Sequence, residues 1–150
     1  MLYRHILIPT DGSALATEAV DKAMALAKDI GAKVTVLTVT VPLRILSADP
    51  DLIALTAAEY KWQASEQSRR IRTAAEEKAK ALGVPCETHE VKHGHPYEAI
   101  IATAGQMGCD LIAMASHGRR GVSAVILGSE TLKVLTHSKI PVLVPGITAG

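Results

Sequence analysis

The stretch MASHGRRGVSAVILGS, residues 114–129, combines glycines with hydroxyl and basic side chains. Gly118 and Gly128 lie ten residues apart, and Arg119 and Arg120 directly follow the first of them. Glycine lets backbone N–H groups approach an anion without a side chain in the way, and arginine adds positive charge. The stretch therefore predicts either a phosphate-binding loop or a connecting loop that glycines simply turn.

The end of this stretch favours the phosphate interpretation. Gly128 and Ser129 open the segment SETLKVLTHSK, which is predicted to be a short helix. The first N–H groups of a helix have no partner inside it, and the helix dipole places positive charge at the same end. Ser129 can add a hydroxyl donor to a bound phosphate. The alternative is that Ser129 caps the helix and that the arginines are solvated.

The elements that must position this loop alternate along the chain. Short apolar runs predict strands, and segments with helical periodicity lie between them, so the order is β-α-β-α-β-α-β-α-β. Such an order predicts an open parallel sheet of five strands with helices on both faces and right-handed crossovers. The predicted strands are ILI (6–8), AKVTVLTVT (32–40), VPCETHEVKHG (84–94), CDLIAMAS (109–116) and IPVLVPG (140–146).

The helices have recognisable ends. Ser13 is a favoured N-cap for the first helix, and Gly31 is a natural stop. Pro96 fits the first turn of the third helix, where a missing N–H costs least. The second helix, from Asp51 to about Leu82, is long for a small domain, which favours a bend or break near residues 56–60.

Two loops would leave the same edge of this sheet. PTDGS follows the first strand, and the glycine-containing loop follows the fourth. Ligands of open parallel sheets bind beyond the carboxyl ends of the strands, where the strand order reverses. If the first and fourth strands are neighbours, the two loops meet over one crevice.

Composition limits the function classes. The 150 residues suit one domain over residues 1–150, and 16 Lys and Arg against 15 Asp and Glu leave a net charge of +1. This balance gives no reason to expect nucleic acid or an anionic membrane as partner. No stretch approaches the length of a membrane span, and no secretion signal is evident, which predicts a cytoplasmic protein. Cys86 and Cys109 match no metal spacing and are interpreted as buried reduced thiols.

Several catalytic motifs do not occur in the sequence. It contains no GxxxxGK[ST], no GxGxxG after a strand and no GxSxG. His93 and His95 are interpreted as residues of a turn and not as metal ligands. No general base for hydrolysis can be assigned, so no catalytic residue is predicted.

Three segments carry a family resemblance. ILIPTDGS, ASHGRRGVSAVILGS and SKIPVLVP resemble the universal stress protein family, and the match in element order extends over the whole chain. The nucleotide-binding branch of that family has a glycine, two residues, a second glycine, nine residues, and then Gly-Ser or Gly-Thr. Gly118, Gly128 and Ser129 match this pattern, whereas Ala115 replaces the first glycine. Alanine costs little there at negative φ and about 1 kcal/mol at positive φ, and its methyl group could crowd a ribose.

The resemblance implies a Rossmann-like fold of the adenine nucleotide alpha hydrolase-like kind. It also implies ATP, ADP or AMP as ligand, with Mg²⁺ or Mn²⁺ on the phosphates. Asp11 would accept from a sugar hydroxyl or an exocyclic amine, or else cap the first helix; the backbone of Val39 would lie against the adenine, with Met114 beside the base. The implied binding residues are Pro9, Thr10, Asp11, Val39, Met114, Ala115, Ser116, His117, Gly118, Arg119, Arg120, Gly128, Ser129, Glu130 and Thr131.

The leading functional hypothesis is a cytoplasmic stress-response protein that binds an adenine nucleotide and acts as a sensor or regulatory module. An alternative is an interaction protein of the non-nucleotide branch that works through its dimer and its surface. A third hypothesis is slow ATP hydrolysis. The resemblance further implies a homodimer through the last strand, at Val142, Leu143 and Val144, and a short apolar edge strand favours such pairing.

Overall fold

The computed structural model describes residues 3–42, 50–117 and 128–146, with the side chains of residues 50–56 excepted. Its five strands are β1 (His5–Pro9), β2 (Lys33–Thr40), β3 (Cys86–Lys92), β4 (Leu111–Ala113) and β5 (Val142–Leu143). They form one parallel sheet in the order β3-β2-β1-β4-β5. The predicted open parallel sheet is confirmed, and its strand order reverses between β1 and β4.

Helices connect the strands as the sequence predicts. They are α1 (Ala14–Ile30), α2 (Pro50–Leu82), α3 (Pro96–Gln106) and α4 (Ser129–His137). The expected break in α2 near residues 56–60 is absent, since one helix runs from Pro50 to Leu82. No glycine or proline interrupts residues 51–82, so helix propensity carries the chain through.

The two faces of the sheet bury separate cores. Ile6, Ile8 and Val34 pack beneath α1 and α2, together with Met24 and Ala75 from those helices. Leu7, Leu37 and Ile112 pack on the opposite face beneath α3 and α4, with Ile100 and Val134. Alternate strand residues thus point to opposite helix layers, which confirms the doubly wound architecture.

The first helix ends where the sequence predicts. The backbone N–H of Ala16 donates to Ser13 Oγ at 3.3 Å, so Ser13 caps α1. Gly31 ends the helix with φ 72°, a left-handed conformation that glycine adopts without strain. These local signals therefore position the turn that enters α1 at the end of β1.

The amino edge of the sheet satisfies its polar groups internally. The Asp110 carboxylate accepts from the backbone N–H groups of Arg4 at 2.9 Å and His5 at 3.0 Å. The buried His5 ring bonds Thr35 Oγ1 through Nε2 at 2.6 Å. Burial lowers the pKa of His5, and the nearby charge of Lys33 lowers it further.

Both cysteines are unpaired thiols. Cys109 is buried and Cys86 is half-buried. Burial raises the pKa of each thiol to about 11, and the carboxylates of Glu76 and Asp110 add to the effect on Cys86 and Cys109 respectively. Such thiols stay protonated at neutral pH and are poor nucleophiles.

Candidate functional site

The carboxyl ends of β1 and β4 lie side by side. Ile6 pairs with Leu111 and Leu7 with Ile112, so these two strands are neighbours at the point where the strand order reverses. The conditional expectation that β1 and β4 are adjacent is confirmed. Both loops with candidate residues therefore leave the same part of one edge.

Two hydrogen bonds hold the start of α4 against the chain that leaves β4. The backbone N–H of Gly128 donates to the Ser116 carbonyl at 2.7 Å. The buried Thr131 hydroxyl donates to the Ala115 carbonyl at 2.8 Å. A Cβ atom on Gly128 would lie 3.1 Å from both the Ser116 carbonyl oxygen and His117 Cα, closer than backbone atoms readily allow. This close approach favours glycine at position 128, because a larger residue would need the backbone of Ser116 or His117 to move by a few tenths of an ångström.

The N-cap residue of α4 contributes no side-chain hydrogen bond to the helix. Gly128 is the N-cap, and Ser129 is the first helical residue and is exposed. The alternative in which Ser129 caps the helix is therefore wrong. Because α4 follows β4 in a parallel sheet, its first N–H groups face the carboxyl edge. A helix end of this kind is suited to binding an anion.

Glu130 is engaged away from this helix end. Its carboxylate accepts from the backbone N–H of Tyr97 at 3.1 Å, in the first turn of α3. The N-cap of α3, His95, provides no side-chain cap of its own. Glu130 thus caps α3 from a neighbouring helix. Sequence reasoning missed Tyr97, because no local pattern pairs it with a residue that follows 33 positions later.

The turn after β1 is closed by its own side chains. Pro9 is the last residue of β1, and the Thr10 backbone N–H donates to the Leu37 carbonyl at 2.9 Å. Thr10 Oγ1 accepts from the N–H of Gly12 at 3.2 Å, and Asp11 Oδ1 accepts from that of Ser13 at 2.9 Å. Asp11 therefore shapes the turn before α1, whereas the N-cap of the helix is Ser13.

Ala115 occupies its position without backbone strain. None of the described non-glycine residues has a positive φ, Ala115 included. Its side chain packs with Ala16 and Ala19 of α1. The methyl group therefore has a place in the interface with α1, and the φ-dependent cost considered from the sequence does not arise.

The remaining described candidates lie near the ends of β2 and β4, the two strands on either side of β1. Val39 is half-buried and Met114 is buried, and both pack with the core beneath α3 and α4. Ser116 and His117 are buried, and Ser116 Oγ lies 3.0 Å from His117 Nδ1. Gly118, Arg119 and Arg120 lie outside the described residues.

The described residues offer neither a metal cluster nor a membrane-spanning helix. Among residues 3–42, 50–117 and 128–146, no group of three or more His, Cys, Asp or Glu side chains is arranged to hold a metal ion. Within the same ranges, no helix has the length and apolarity needed to cross a bilayer.

Comparisons with known proteins agree with this architecture. A model of the Universal stress protein family matches residues 2–145. Universal stress protein MJ0531 of Methanocaldococcus jannaschii is 33% identical over 145 residues, which cover 95% of this chain and 82% of that protein. The solved structure of the hypothetical protein MJ0577 has a TM-score of 0.82 at 27% identity and covers 100% of both chains.

A second similar solved structure contains a bound ligand. The crystal structure of a universal stress protein in complex with cAMP has a TM-score of 0.68 at 26% identity, and covers 97% of this chain and 98% of that one. The family model spans nearly the whole sequence, and the overall fold is similar to those of both solved structures. The chain therefore belongs to the universal stress protein family.

Proposed function

We propose that this chain binds ATP or a related adenine nucleotide at the carboxyl edge of β1 and β4 and acts as a sensor or regulatory module. The observation that carries the proposal is the N-terminus of α4, whose N-cap is a glycine without a capping side chain and which Gly128 and Thr131 hold against the end of β4. The phosphates lie at this helix end, where backbone N–H groups and the Ser129 hydroxyl donate to them.

The base and sugar lie toward β1 and β2 in this proposal. Val39 and Met114 provide apolar surface for the adenine, and Asp11 accepts from a sugar hydroxyl or an exocyclic amine. The relative crystallised with cAMP supports an adenine nucleotide as the ligand class. Gly118, Arg119 and Arg120 remain proposed phosphate contacts on the strength of the sequence pattern.

A divalent cation enters this proposal only with the nucleotide. The described residues offer no cluster of three metal-binding side chains. Mg²⁺ or Mn²⁺ would therefore be held mainly by phosphate oxygens and water, as Mg²⁺ commonly is at nucleotide sites. Removing Mg²⁺ with the chelator EDTA should weaken ATP binding but leave AMP binding nearly unchanged.

The direct test is a calorimetric titration of nucleotide-stripped protein with ATP and Mg²⁺, with GTP as the comparison ligand. We expect a dissociation constant on the order of micromolar for ATP and much weaker binding of GTP. Gly128→Ala should reduce ATP affinity, because its Cβ displaces the backbone of Ser116 or His117. Thr136→Ala is the matched control, since Thr136 lies at the far end of α4 and its hydroxyl donates to the Leu132 carbonyl of the same helix.

The titration also has a clear negative result. No heat and no thermal stabilisation of the unmodified protein at millimolar ATP would reject the proposal. If Gly128→Ala fails to fold, Ser129→Ala tests the same helix end with an exposed side chain. If Ser129→Ala and Gly128→Ala both bind ATP as tightly as the unmodified protein does, the nucleotide binds elsewhere.

A regulatory role requires that nucleotide binding change the protein. Binding to the folded chain alone raises the free energy of unfolding through mass action. We expect slower hydrogen exchange in α4 and at the end of β4 when ATP is present. Unchanged exchange at saturating ATP would remove the basis for a sensor.

The edge strand β5 favours a second proposed property, a homodimer. Leu143 of β5 is 39% exposed, and Leu132 and Leu135 of α4 are exposed nearby in the chain. Val142 and Leu143 form the strand, whereas Val144 lies just beyond it. Pairing through Val142, Leu143 and Val144 would cover this edge. Sedimentation of the unmodified protein at micromolar concentration should give twice the monomer mass. The variant Leu143→Glu should sediment as a monomer. A monomer mass for the unmodified protein would reject the dimer.

A further inference from the structure

A second concave region lies on the face of the sheet that α1 and α2 cover. This cleft has a volume of about 230 Å³ and opens between the two helices. Its apolar wall consists of Val20, Ile71, Ala74 and Ala75. Val39 and Met114 pack on the opposite face, beneath α3 and α4. The apolar wall of the cleft therefore lies on the other face of the sheet from Val39 and Met114, whereas Thr10 and Gly12 of its lining flank Asp11 of the proposed nucleotide site.

Cations and hydroxyl-bearing residues complete the lining. Arg70 and Lys78 lie on the α2 side, and Thr10, Gly12 and Thr17 lie on the side of β1 and α1. No carboxylate belongs to the described residues that line the cleft. Glu66, one turn before Arg70, is bonded to Arg69, and its carboxylate also interacts electrostatically with Arg70. The rim therefore offers positive charge above an apolar wall.

One of the two cations is already balanced. Lys78 Nζ lies 2.6 Å from Asp21 Oδ1, and Asp21 is an exposed residue of α1 outside the lining. Arg70 is exposed at the rim. A ligand anion would therefore depend mainly on Arg70, with Lys78 contributing in competition with Asp21. A guanidinium group binds a carboxylate with two parallel hydrogen bonds, which favours Arg70 as the anchor.

We propose that this cleft binds a small monocarboxylate with a compact apolar body, its carboxylate on Arg70 and its body against Ile71, Ala74 and Val20. The volume is below the roughly 300 Å³ of the smallest drug-sized pockets, so the ligand is limited to about ten non-hydrogen atoms. Benzoate has this size and chemistry and serves as the probe. Its expected dissociation constant is on the order of one millimolar, given the usual binding energy per atom.

The test is a titration of ¹⁵N-labelled protein with sodium benzoate, with sodium chloride at equal ionic strength as the blank. Amide signals of α1 and α2 around Thr17, Ile71 and Ala74 should shift in a saturable way. Arg70→Gln should weaken binding about tenfold, as expected for loss of a charge-assisted bond. Asp21→Asn should strengthen it about twofold, because Lys78 is released from its partner.

Lys80→Gln is the matched control, since Lys80 is an exposed cation on α2 outside the cleft lining. Benzoate affinity unchanged by Arg70→Gln, or shifts confined to residues outside the cleft, would overturn the proposal. No saturable shift at 20-fold the expected dissociation constant, about 20 mM, would do the same. Titration of each variant with ATP keeps the two proposals distinct, because nucleotide binding can fail while benzoate still binds, and the reverse.

Discussion

Two helices begin at the same edge of this sheet, and their N-termini are built differently. The first turn of α1 is closed by side chains from its own loop: Ser13 accepts from Ala16, and Asp11 accepts from Ser13. At the start of α4, the N-cap is Gly128, which has no side chain to bond the first N–H groups of the helix. Two side chains of its first turn are bonded elsewhere. The Glu130 carboxylate accepts from the Tyr97 N–H, and the Thr131 hydroxyl donates to the Ala115 carbonyl.

This difference predicts that the N-terminus of α1 contributes to the stability of the fold, whereas that of α4 contributes to ligand binding. A helix end whose N–H groups are satisfied by neighbouring side chains contributes to folding and has little to offer a ligand. A helix end that lacks such a cap, yet is held in place by tertiary hydrogen bonds, keeps its donors for an anion. Substitutions at α1 should therefore change the stability of the protein, whereas those at the tip of α4 should change ligand affinity.

The largest effect is expected at Thr131, which fixes α4 in place. Thr131→Val leaves the buried Ala115 carbonyl without its donor and should lower the free energy of unfolding by about 2 kcal/mol. Urea denaturation measures the change. Thr136→Val is the control, because the Thr136 hydroxyl is exposed and bonds the carbonyl of its own helix. Equal losses in both variants would show that Thr131 does not anchor the helix.

Removing the cap of α1 should have the next largest effect. Ser13→Ala deletes the acceptor for the Ala16 N–H and should cost about 1 kcal/mol of stability. The same denaturation experiment measures this loss, and Ser13→Asp should restore most of it. ATP affinity should change less than twofold in Ser13→Ala. A large fall in affinity with intact stability would contradict the division between the two helix ends.

The reciprocal variant is Ser129→Ala at the tip of α4. Ser129 is exposed and is not the N-cap, so stability should stay within about 0.5 kcal/mol of the unmodified protein. The ATP dissociation constant should rise about threefold, since one neutral hydrogen-bond donor is lost. Calorimetry and denaturation on one preparation give both quantities. A stability loss as large as that of Ser13→Ala would mean that Ser129 does act as a cap.

Glu130 allows a finer test of the same helix. Glu130→Gln keeps an acceptor for the Tyr97 N–H but removes a negative charge from the first turn of α4. Because that charge opposes a bound phosphate, ATP affinity should increase about twofold at low salt. Hydrogen exchange at Tyr97 should stay slow in Glu130→Gln and become faster in Glu130→Ala. Faster exchange in both would show that the charge itself is required to cap α3.

The smallest effect is expected at the opposite, amino edge and depends on pH. Burial lowers the pKa of His5 in the folded protein below its value in the unfolded chain. The stabilisation from neutral His5 is therefore complete above about pH 6.5 and is lost as the pH falls through that value toward the folded pKa. His5→Gln should lose less stability than the unmodified protein between pH 7 and pH 5. His137→Gln, an exposed control, should behave like the unmodified protein; identical pH profiles for all three would exclude His5 as the cause.

The sequence alone determined the class of fold and most of the element boundaries. Apolar runs and helical periodicity identify all five strands and all four described helices, because both signals reside in neighbouring residues. Ser13 and Gly31 mark the ends of α1 for the same local reason. The family pattern around Gly128 and Ser129 likewise directs attention to the correct edge of the sheet.

Tertiary structure decided what those residues contact. Glu130 bonds Tyr97, Thr131 bonds Ala115, and Ala115 itself packs on α1; each partner is distant in sequence and is selected by how the helices dock on the sheet. The short extents of β4 and β5 depend equally on pairing with a neighbour. Local propensity can state that a helix begins at Ser129, but only packing determines which of its polar groups are already bonded and which stay available to a ligand.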